Sequence, residues 1–502
     1  MNILMIYPKY PETFWSFDYA LKFISKKAAF PPLGLLTIAP LIPKEWNKRL
    51  IDLNVRELKD KHIKWADLIF ISAMLVQKKS ARQVIRRCKA KGKRIVAGGP
   101  AFLTQQDQFP GVDHFVLNEA EVTLPMFLDD LERGSPNKIY SSTQRPDIKD
   151  TPVPMWSLIR MDDYATMPVQ YSRGCPYNCE FCDIIIMNGR IPRTKTPEQI
   201  LREMQSLYRA GWRGSVFIVD DNFIGNKTNA KKMLVKLIRW QKKHRYPFKF
   251  YTEASVNLAE DSELMRMMSA ANFYKVFLGI ETPNMDSLRE CGKVLNTRID
   301  LSKAVDIIQK NGMQVMGGFI VGFDSDTESV FENQIRFIQK VGIVTAMVGI
   351  LIALPQTRLW QRLKAEGRLI GNTSGENTDS CLNFVPKMGQ EKLIKGYERV
   401  LATLYSRKQY YKRIDRFLKN YRPTAKGRVS YGELKAFAKS IWKIGILSGP
   451  RYLYWKLIIK TLFTKARALH LAVEFAIVGL HFERITKRIL RSSRNNQGFR
   501  ID

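Results

Sequence analysis

At 502 residues, with 45% hydrophobic and 25% charged residues, the chain exceeds one ordinary core and is expected to form two or three folded domains. Its formal charge of +34 at pH 7 attracts anionic partners, nucleic acid or anionic lipid, over long range. The six cysteines comprise one close group of three and isolated Cys88, Cys291 and Cys381, which excludes a paired disulfide scaffold and predicts a reducing, cytoplasmic compartment.

The opening Met1-Asn-Ile-Leu-Met-Ile-Tyr-Pro8 lacks a basic region ahead of a long apolar core and reads as a first strand. Residues 31–40 suggest a helix with prolines near its first turn, 80–91 a basic helix, and 49–53, 68–72, 94–97 and 114–117 further strands. This alternation predicts a Rossmann-like domain over 1–150, an α/β fold whose doubly wound parallel sheet binds ligands at the carboxyl ends of its strands. Ser72-Ala-Met74 and Gly98-Gly99-Pro100 stand at two such ends. Glycines there let a ligand approach the backbone, although paired glycines after a buried strand are also ordinary turn chemistry. His62 and His114 read as ordinary loop or strand-end histidines.

Asp150-Thr-Pro-Val-Pro-Met-Trp156 has the extended character of a linker. A short strand from Met167 then leads into Tyr171-Ser-Arg-Gly-Cys175-Pro-Tyr-Asn-Cys179-Glu-Phe-Cys182. Three thiolates on one loop can hold three corners of a 4Fe-4S cluster, and with no fourth cysteine in the loop one iron stays open to a small molecule. Zinc would require a fourth Cys or His, and Cys291 and Cys381 lie far along the chain without a paired spacing. Helical patterns over 198–210, 230–244, 260–271, 300–311 and 327–341 alternate with strand patterns over 215–219, 248–252, 274–279, 314–321 and 346–353. About six strand-helix units predict a partial (β/α)6 barrel over 151–385, with chemistry at the carboxyl ends of its strands. Asp220-Asp221-Asn222-Phe223, Glu253-Ala-Ser255 and Glu281 occupy such ends. One carboxylate there can simply cap a helix, but three in successive units beside the cysteine loop point to a common site.

Residues 391–421 place Tyr397, Leu401, Leu404, Tyr411, Ile414, Phe417, Leu418 and Tyr421 at helical spacing, which predicts one amphipathic helix in a helical cap over 386–425. Residues 423–427 break it, and 426–502 form a basic, aromatic-rich helical tail. Its most apolar run, 466–482, is interrupted by Arg467, His470 and Glu474 and is too short and polar for a membrane span. Basic faces opposite Trp, Tyr and Phe fit helices in an anionic membrane interface. They fit a barrel cap with a solvated basic face equally well; nucleic acid ranks last.

The cysteine spacing is the hallmark of the radical S-adenosylmethionine (SAM) superfamily. The whole chain resembles its cobalamin-dependent members with a helical C-terminal extension, a group containing methylases of hopanoid lipids and bacteriochlorophyll side chains. The resemblance implies a 4Fe-4S cluster on Cys175, Cys179 and Cys182, with SAM on the open iron and Phe181 as the aromatic before the last cysteine. It sets Asp220 and Asp221 around the SAM amino group, Glu253 and Ser255 at the ribose or carboxylate, and Gly318 and Gly322 along the adenine. Cobalamin is implied against Ser72, Met74, Gly98, Gly99 and Pro100, with Glu119 in the turn Asn118-Glu-Ala-Glu121, where Asn118 departs from the family's glycine. No Asp-x-His-x-x-Gly motif occurs, so the resemblance implies a cobalt without a histidine ligand. In Leu354-Pro-Gln-Thr357, which resembles the family's Pro-Gly-Thr turn, Gln356 replaces the glycine.

The implied reaction is reductive cleavage of SAM to methionine and a 5′-deoxyadenosyl radical, followed by methylation of an unactivated carbon. The implied substrate is hydrophobic, a lipid or tetrapyrrole, and the electron donor is a reductase, flavodoxin or ferredoxin. Such an enzyme is cytoplasmic and peripheral on the inner face of the cell membrane. A second reading keeps the radical chemistry without methyl transfer, as in cyclisation, rearrangement or oxidation. A third, from another class, is a non-catalytic basic membrane or RNA adaptor.

Overall fold

The computed structural model describes residues 1–371, 373–376, 378, 381–424, 431–449 and 451–497. Residues 425–430, which hold the later part of the expected break at 423–427 and the start of the tail, lie outside them. Among the described residues the chain builds two six-stranded parallel sheets and a helical C-terminal layer.

The first sheet comprises β1 (Asn2–Tyr7), β2 (Asn47–Asp52), β3 (Leu68–Ser72), β4 (Arg94–Gly98), β5 (His114–Val116) and β6 (Ile139–Tyr140), in the order β2-β1-β3-β4-β5-β6. Its strands read as apolar runs because both faces are covered: Ile3, Leu4, Met5 and Ile6 of β1 are all fully buried. Helix α1 (Lys78–Lys89) buries Ala81, Val84, Ile85 and Cys88 at helical spacing and keeps most of its basic residues outside. Helix α2 (Ala120–Glu132) packs with β5 and β6. The order reverses between β1 and β3, so the crevice favoured by ligands opens beside the carboxyl end of β3.

The second sheet comprises β7 (Met167–Val169), β10 (Ser215–Ile218), β11 (Lys249–Ala254), β12 (Phe273–Glu281), β13 (Gln314–Val321) and β14 (Ala346–Ile350), ordered β14-β13-β12-β11-β10-β7. The intervening β8 (Ser172–Arg173) and β9 (Arg193–Thr194) form a small antiparallel pair around the cysteine loop. Helices α3 (Pro197–Arg209), α4 (Lys227–Lys243), α5 (Ser262–Ala270), α6 (Leu301–Lys310) and α7 (Ser329–Val341) connect the barrel strands. In β11, Phe250, Thr252 and Ala254 are buried while Lys249, Tyr251 and Glu253 are half-buried, which separates a helix-facing side from a barrel-facing side. Tyr251 stacks on Phe217 of β10, and the N-terminal segment adds Phe30 to Phe217 and Trp15 to Phe277 at ring separations of 6.2 and 5.5 Å.

Helix α8 (Arg358–Ala365) follows the barrel, α9 (Gln390–Leu404) lies along the free edge of β14, and α10 (Arg407–Asn420) packs on α7. The single helix expected over 391–421 is thus two, interrupted at Tyr405-Ser406. Tyr397 and Tyr405 donate their hydroxyls to the carbonyls of Val348 and Ala346, satisfying acceptors that an edge strand leaves open. Beyond come α11 (Tyr431–Ser440), a π-helical turn (Ile441–Ile446), α12 (Arg451–Lys465) and α13 (Leu469–Gln497). Helix α13 buries Leu471, Ala472, Phe475, Ala476 and Phe482 in the protein. Its Glu474 pairs with Lys275 near the start of β12, and its Phe482 ring lies 5.4 Å from that of Phe14. Among the described residues no helix is long and apolar enough to cross a membrane.

Candidate functional site

The cysteine loop leaves the carboxyl end of β7 and is shaped by two carboxylates at the end of β10. Buried Asp220 accepts the Tyr171 N–H and the Ser172 hydroxyl, both at 2.7 Å. Asp221 accepts the Gly174 N–H at 2.7 Å and the Asn188 amide at 2.9 Å. Burial pushes both carboxyls upward, Asp220 to about 7 against the opposing hydrogen bonds from Ser172 and Tyr171. Gly174 has φ +97°, and a Cβ there would lie 2.9 Å from the carbonyl oxygens of Gly189 and Ile191. Only glycine lets the chain turn so tightly before Cys175.

Cys179 is buried, whereas Cys175 and Cys182 are half-buried. Burial raises the Cys179 and Cys182 thiols, with Glu281 and Cys175 adding to the rise at Cys179 and Asp183 and Cys179 at Cys182. Lys293 opposes it at both. This lysine is held by Glu281, Nζ to Oε1 at 2.8 Å, with both side chains largely buried. A Cβ on Gly279 would fall 2.5 Å from Glu281 Oε1 and 2.9 Å from Lys293 Nζ, so that glycine makes room for the pair. The 291–293 turn is fastened to the cysteine loop by the Glu180 N–H donating to the Cys291 carbonyl at 2.8 Å. A fixed cation beside thiols favours the thiolate form that metal ligation requires. Asn222 Nδ2 lies 4.0 Å from Cys175 Sγ and 3.2 Å from Ser255 Oγ.

The donor set is three loop thiols, and among the described residues no three His, Cys, Asp or Glu side chains gather as ligands of a single metal ion. This donor chemistry fits a cluster held at three corners. The carboxylate of Glu253, on the barrel-facing side of β11, accepts no hydrogen bond and meets no cation among the described residues. Burial first, then the charges of Asp221 and Asp220, push it up to about 8. A half-buried acid with no partner at a strand end is a candidate contact for a ligand. Gly318 faces Phe277, whose ring would stand 2.8 Å from a Cβ there. Gly322, at φ +108°, instead packs against Leu393 and donates its N–H to Asp326. Phe181 packs against Phe323, ring centroids 6.1 Å apart.

Two ion-pair clamps flank the loop. Towards the N-terminal domain, Arg173 binds Glu119 and Glu121, each at 2.7 Å, and Arg193 binds Glu119 at 2.6 Å. The Glu119 carboxylate is therefore taken up by two guanidinium groups of the barrel domain. On the other side, Arg362 of α8 joins Glu180 at 2.6 Å and Asp324 at 2.8 Å. The structure brings Ser72-Ala-Met74 against Gly98-Gly99-Pro100, with the Ala101 N–H donating to the Ala73 carbonyl. A Cβ on Gly98 would sit 2.7 Å from the Val116 carbonyl oxygen; Gly99, at φ +97°, would place one 2.8 Å from Ser72 Oγ. Met74 keeps 42% of its surface exposed at this strand end, beside the switch point where sheets of this order bind ligands. Sequence reasoning missed Lys293, Arg173 and Arg193 as site residues. Arg173 stood unremarked inside the cysteine motif.

The Radical SAM superfamily model matches residues 169–338, and a domain of unknown function (DUF4070) matches 357–495. An uncharacterized methyltransferase, sll1242, of Synechocystis sp. is 44% identical over 91% of this chain and 86% of its own length. The hopanoid C-2 methylase of Rhodopseudomonas palustris is 32% identical over 92% and 89%. Among solved structures, the cobalamin-dependent SAM radical enzyme OxsB with aqua-cobalamin bound superposes with a TM-score of 0.64 at 16% identity, over all of this chain and 82% of that one. The radical SAM methyltransferase TsrM of Kitasatospora setae, with tryptophan and a SAM analogue, does so with 0.62 at 13% identity, over 88% and 99%. These two share the fold: a parallel α/β domain before a radical SAM barrel.

Proposed function

The chain belongs to the radical SAM superfamily, in the methyltransferase family that contains the hopanoid C-2 methylase, and from that premise we propose that it methylates an unactivated carbon of a hydrophobic lipid or tetrapyrrole. Cys175, Cys179 and Cys182 would hold a 4Fe-4S cluster; Glu253 and Ser255, with the Gly318 strand, would receive SAM; Ser72, Met74 and Gly98-Gly99-Pro100 would receive cobalamin. Bound there, the cluster supplies the electron that cleaves SAM and cobalamin supplies the methyl group. Everything else is the work of the chain. Lys293, fixed by Glu281, holds positive charge beside Cys179 and Cys182. Asp220 and Asp221 hold the loop through its N–H groups and the Ser172 hydroxyl, so their part is to position the cysteines. Glu253, largely protonated at neutral pH, offers one hydrogen-bond donor and one acceptor to a ligand. The rings of Trp15, Phe30, Phe217 and Phe277 give the barrel-facing side an apolar surface that matches an apolar substrate.

The observation that carries this reading is the Glu253 acid, unpartnered among the described residues and set at a strand end beside the Asp220 and Asp221 carboxylates that hold the three-thiol loop. The one-electron donor is a reductase, flavodoxin or ferredoxin, and the enzyme works peripherally at the inner face of the cell membrane, where such substrates reside. Anaerobically reconstituted protein should form 5′-deoxyadenosine from SAM, and Cys179→Ala should abolish it; SAM cleavage retained by that variant refutes the cluster assignment. Lipid and pigment extracts of a strain lacking the gene should accept labelled methyl from SAM on addition of enzyme. Cleavage without methyl transfer to any extract would overturn the methylase reading in favour of cyclisation, rearrangement or oxidation.

A further inference from the structure

Between Glu433 and Glu474 the chain has no acidic residue and eight lysines and arginines. Within this stretch α12 is apolar on two opposite sides. Tyr454, Leu457, Ile458 and Thr461 are buried against the protein. Tyr452, Ile459 and Phe463, which share a stripe with Lys456 at helical spacing, are 65%, 51% and 82% exposed. Trp442 and Leu447, just before α12, are exposed as well, and the Trp455 indole donates to the Gly445 carbonyl, tying that turn to the helix. Single exposed apolar residues are ordinary, but a contiguous set rimmed by charges of one sign marks a contact surface.

We infer that the face carrying Trp442, Leu447, Tyr452, Ile459 and Phe463 docks on an anionic lipid bilayer. Aliphatic and aromatic side chains among lysines are what a helix lying in the headgroup region presents, the rings and methyl groups entering the acyl boundary while ammonium groups meet phosphate. RNA offers no slot for Ile459, and a second copy would bring +34 against +34. Lys460 pairs with Asp415 of α10; Lys456 has no such partner among the described residues. The inference rests on the hydrophobic substrate proposed above for its purpose, because the platform adjoins the segment that reaches the barrel. Lys439 donates to the Lys22 carbonyl and the Ser25 hydroxyl, and Lys443 lies 5.3 Å from the Phe23 ring centre. That same segment carries Trp15 and Phe30 onto the barrel-facing rings.

The test is flotation of the full-length holoenzyme with phosphatidylcholine vesicles, with and without phosphatidylglycerol. The wild type should float with the anionic vesicles only. Ile459→Glu combined with Phe463→Glu should lower the bound fraction at least about tenfold, and Lys456→Glu by a smaller factor that vanishes in high salt. Helical circular dichroism and SAM cleavage should stay unchanged in all variants, since these side chains lie outside the site. No flotation of the wild type, or equal flotation of wild type and the double variant, overturns the inference. So does a variant-sensitive dimer, or variant-sensitive retention of a duplex RNA, seen without any vesicle binding. A wild type that floats and cleaves SAM yet methylates nothing would sink the proposed reaction and leave the docking face standing.

Discussion

Replacing Glu119 with glutamine tests whether the two domains are held in register by the clamp on the cysteine loop. The carboxylate is 8% exposed and faces Arg173 and Arg193, themselves 11% and 17% exposed. After the substitution Arg173 keeps Glu121 and the Gln170 side chain, but Arg193 loses its charged partner and keeps neutral acceptors, the carbonyls of Pro146 and Asn188 and the one amide oxygen left at position 119, with its Nε buried and unpaired. Stranding a buried charge costs about 3–5 kcal/mol; the residual exposure places this case near 2–3 kcal/mol. For a cooperative unit of domain size that is a fall of roughly 4–12 °C in the unfolding midpoint. Calorimetry on Glu119→Gln, Arg193→Gln and the double variant should give a coupling of about 1.5 kcal/mol or more. Iron bound after anaerobic reconstitution should fall too, because Arg173 lies two residues before Cys175. A coupling within about 0.5 kcal/mol of zero, with full iron content, would show that the clamp is decorative. The pH dependence has a definite sign. Burial acts to raise the Glu121 carboxyl, but hydrogen bonding and charge from Arg173 win and hold it below its usual 4.5. The Glu121 contribution is therefore present above pH 4.5 and is lost as the pH falls through the folded value.

Lys293→Met should lower thiolate stability at Cys179 and Cys182 and shift the cluster potential to more negative values; an unchanged potential in an electron paramagnetic resonance redox titration argues against a charge role. Gly98→Ala should destabilise the N-terminal domain by about 1–3 kcal/mol, since the new methyl meets a backbone carbonyl that cannot swing aside, and should reduce cobalamin retained on gel filtration; wild-type retention would disconnect this turn from the cofactor. Glu253→Gln should stabilise the ligand-free protein as the pH rises. The folded carboxyl sits at about 8 against an ordinary 4.5, so its favourable contribution is complete below 4.5 and is lost on the way to 8. Midpoint differences between variant and wild type that stay flat over that window contradict the assignment.

The cysteine loop and the parallel sheets were legible because local spacing and runs of buried strand residues encode them directly. The strand-end carboxylates were legible as a group, but their individual uses were not. Asp220 and Asp221 are drawn to the loop's own N–H groups, which only the folded turn brings near, and Glu253 alone stays open. Lys293 reaches Cys179 across 114 positions and carries no periodicity, so nothing local announces it. The interruption at Tyr405-Ser406 was hidden because apolar residues keep helical spacing on both sides of it. Glu474, which read as a polar blemish in an apolar run, is a partner for Lys275. The basic apolar stretch did announce a surface, but only burial distinguishes α13, whose apolar side is covered by protein, from α12, whose outer stripe is bare.

The packing of α13 on the first residues of the chain also sets a timetable for biosynthesis. His481 Nε2 lies 3.2 Å from the Phe14 carbonyl across 467 positions. At about 5–20 residues per second, roughly 25 to 90 s of translation separate the two partners. Through that interval Phe17 lacks its α13 partners, and Phe14 meets at most Tyr405. Ribosome-arrested chains ending before residue 469 should be captured by a holdase at this aromatic segment, and chains extended through α13 should escape it.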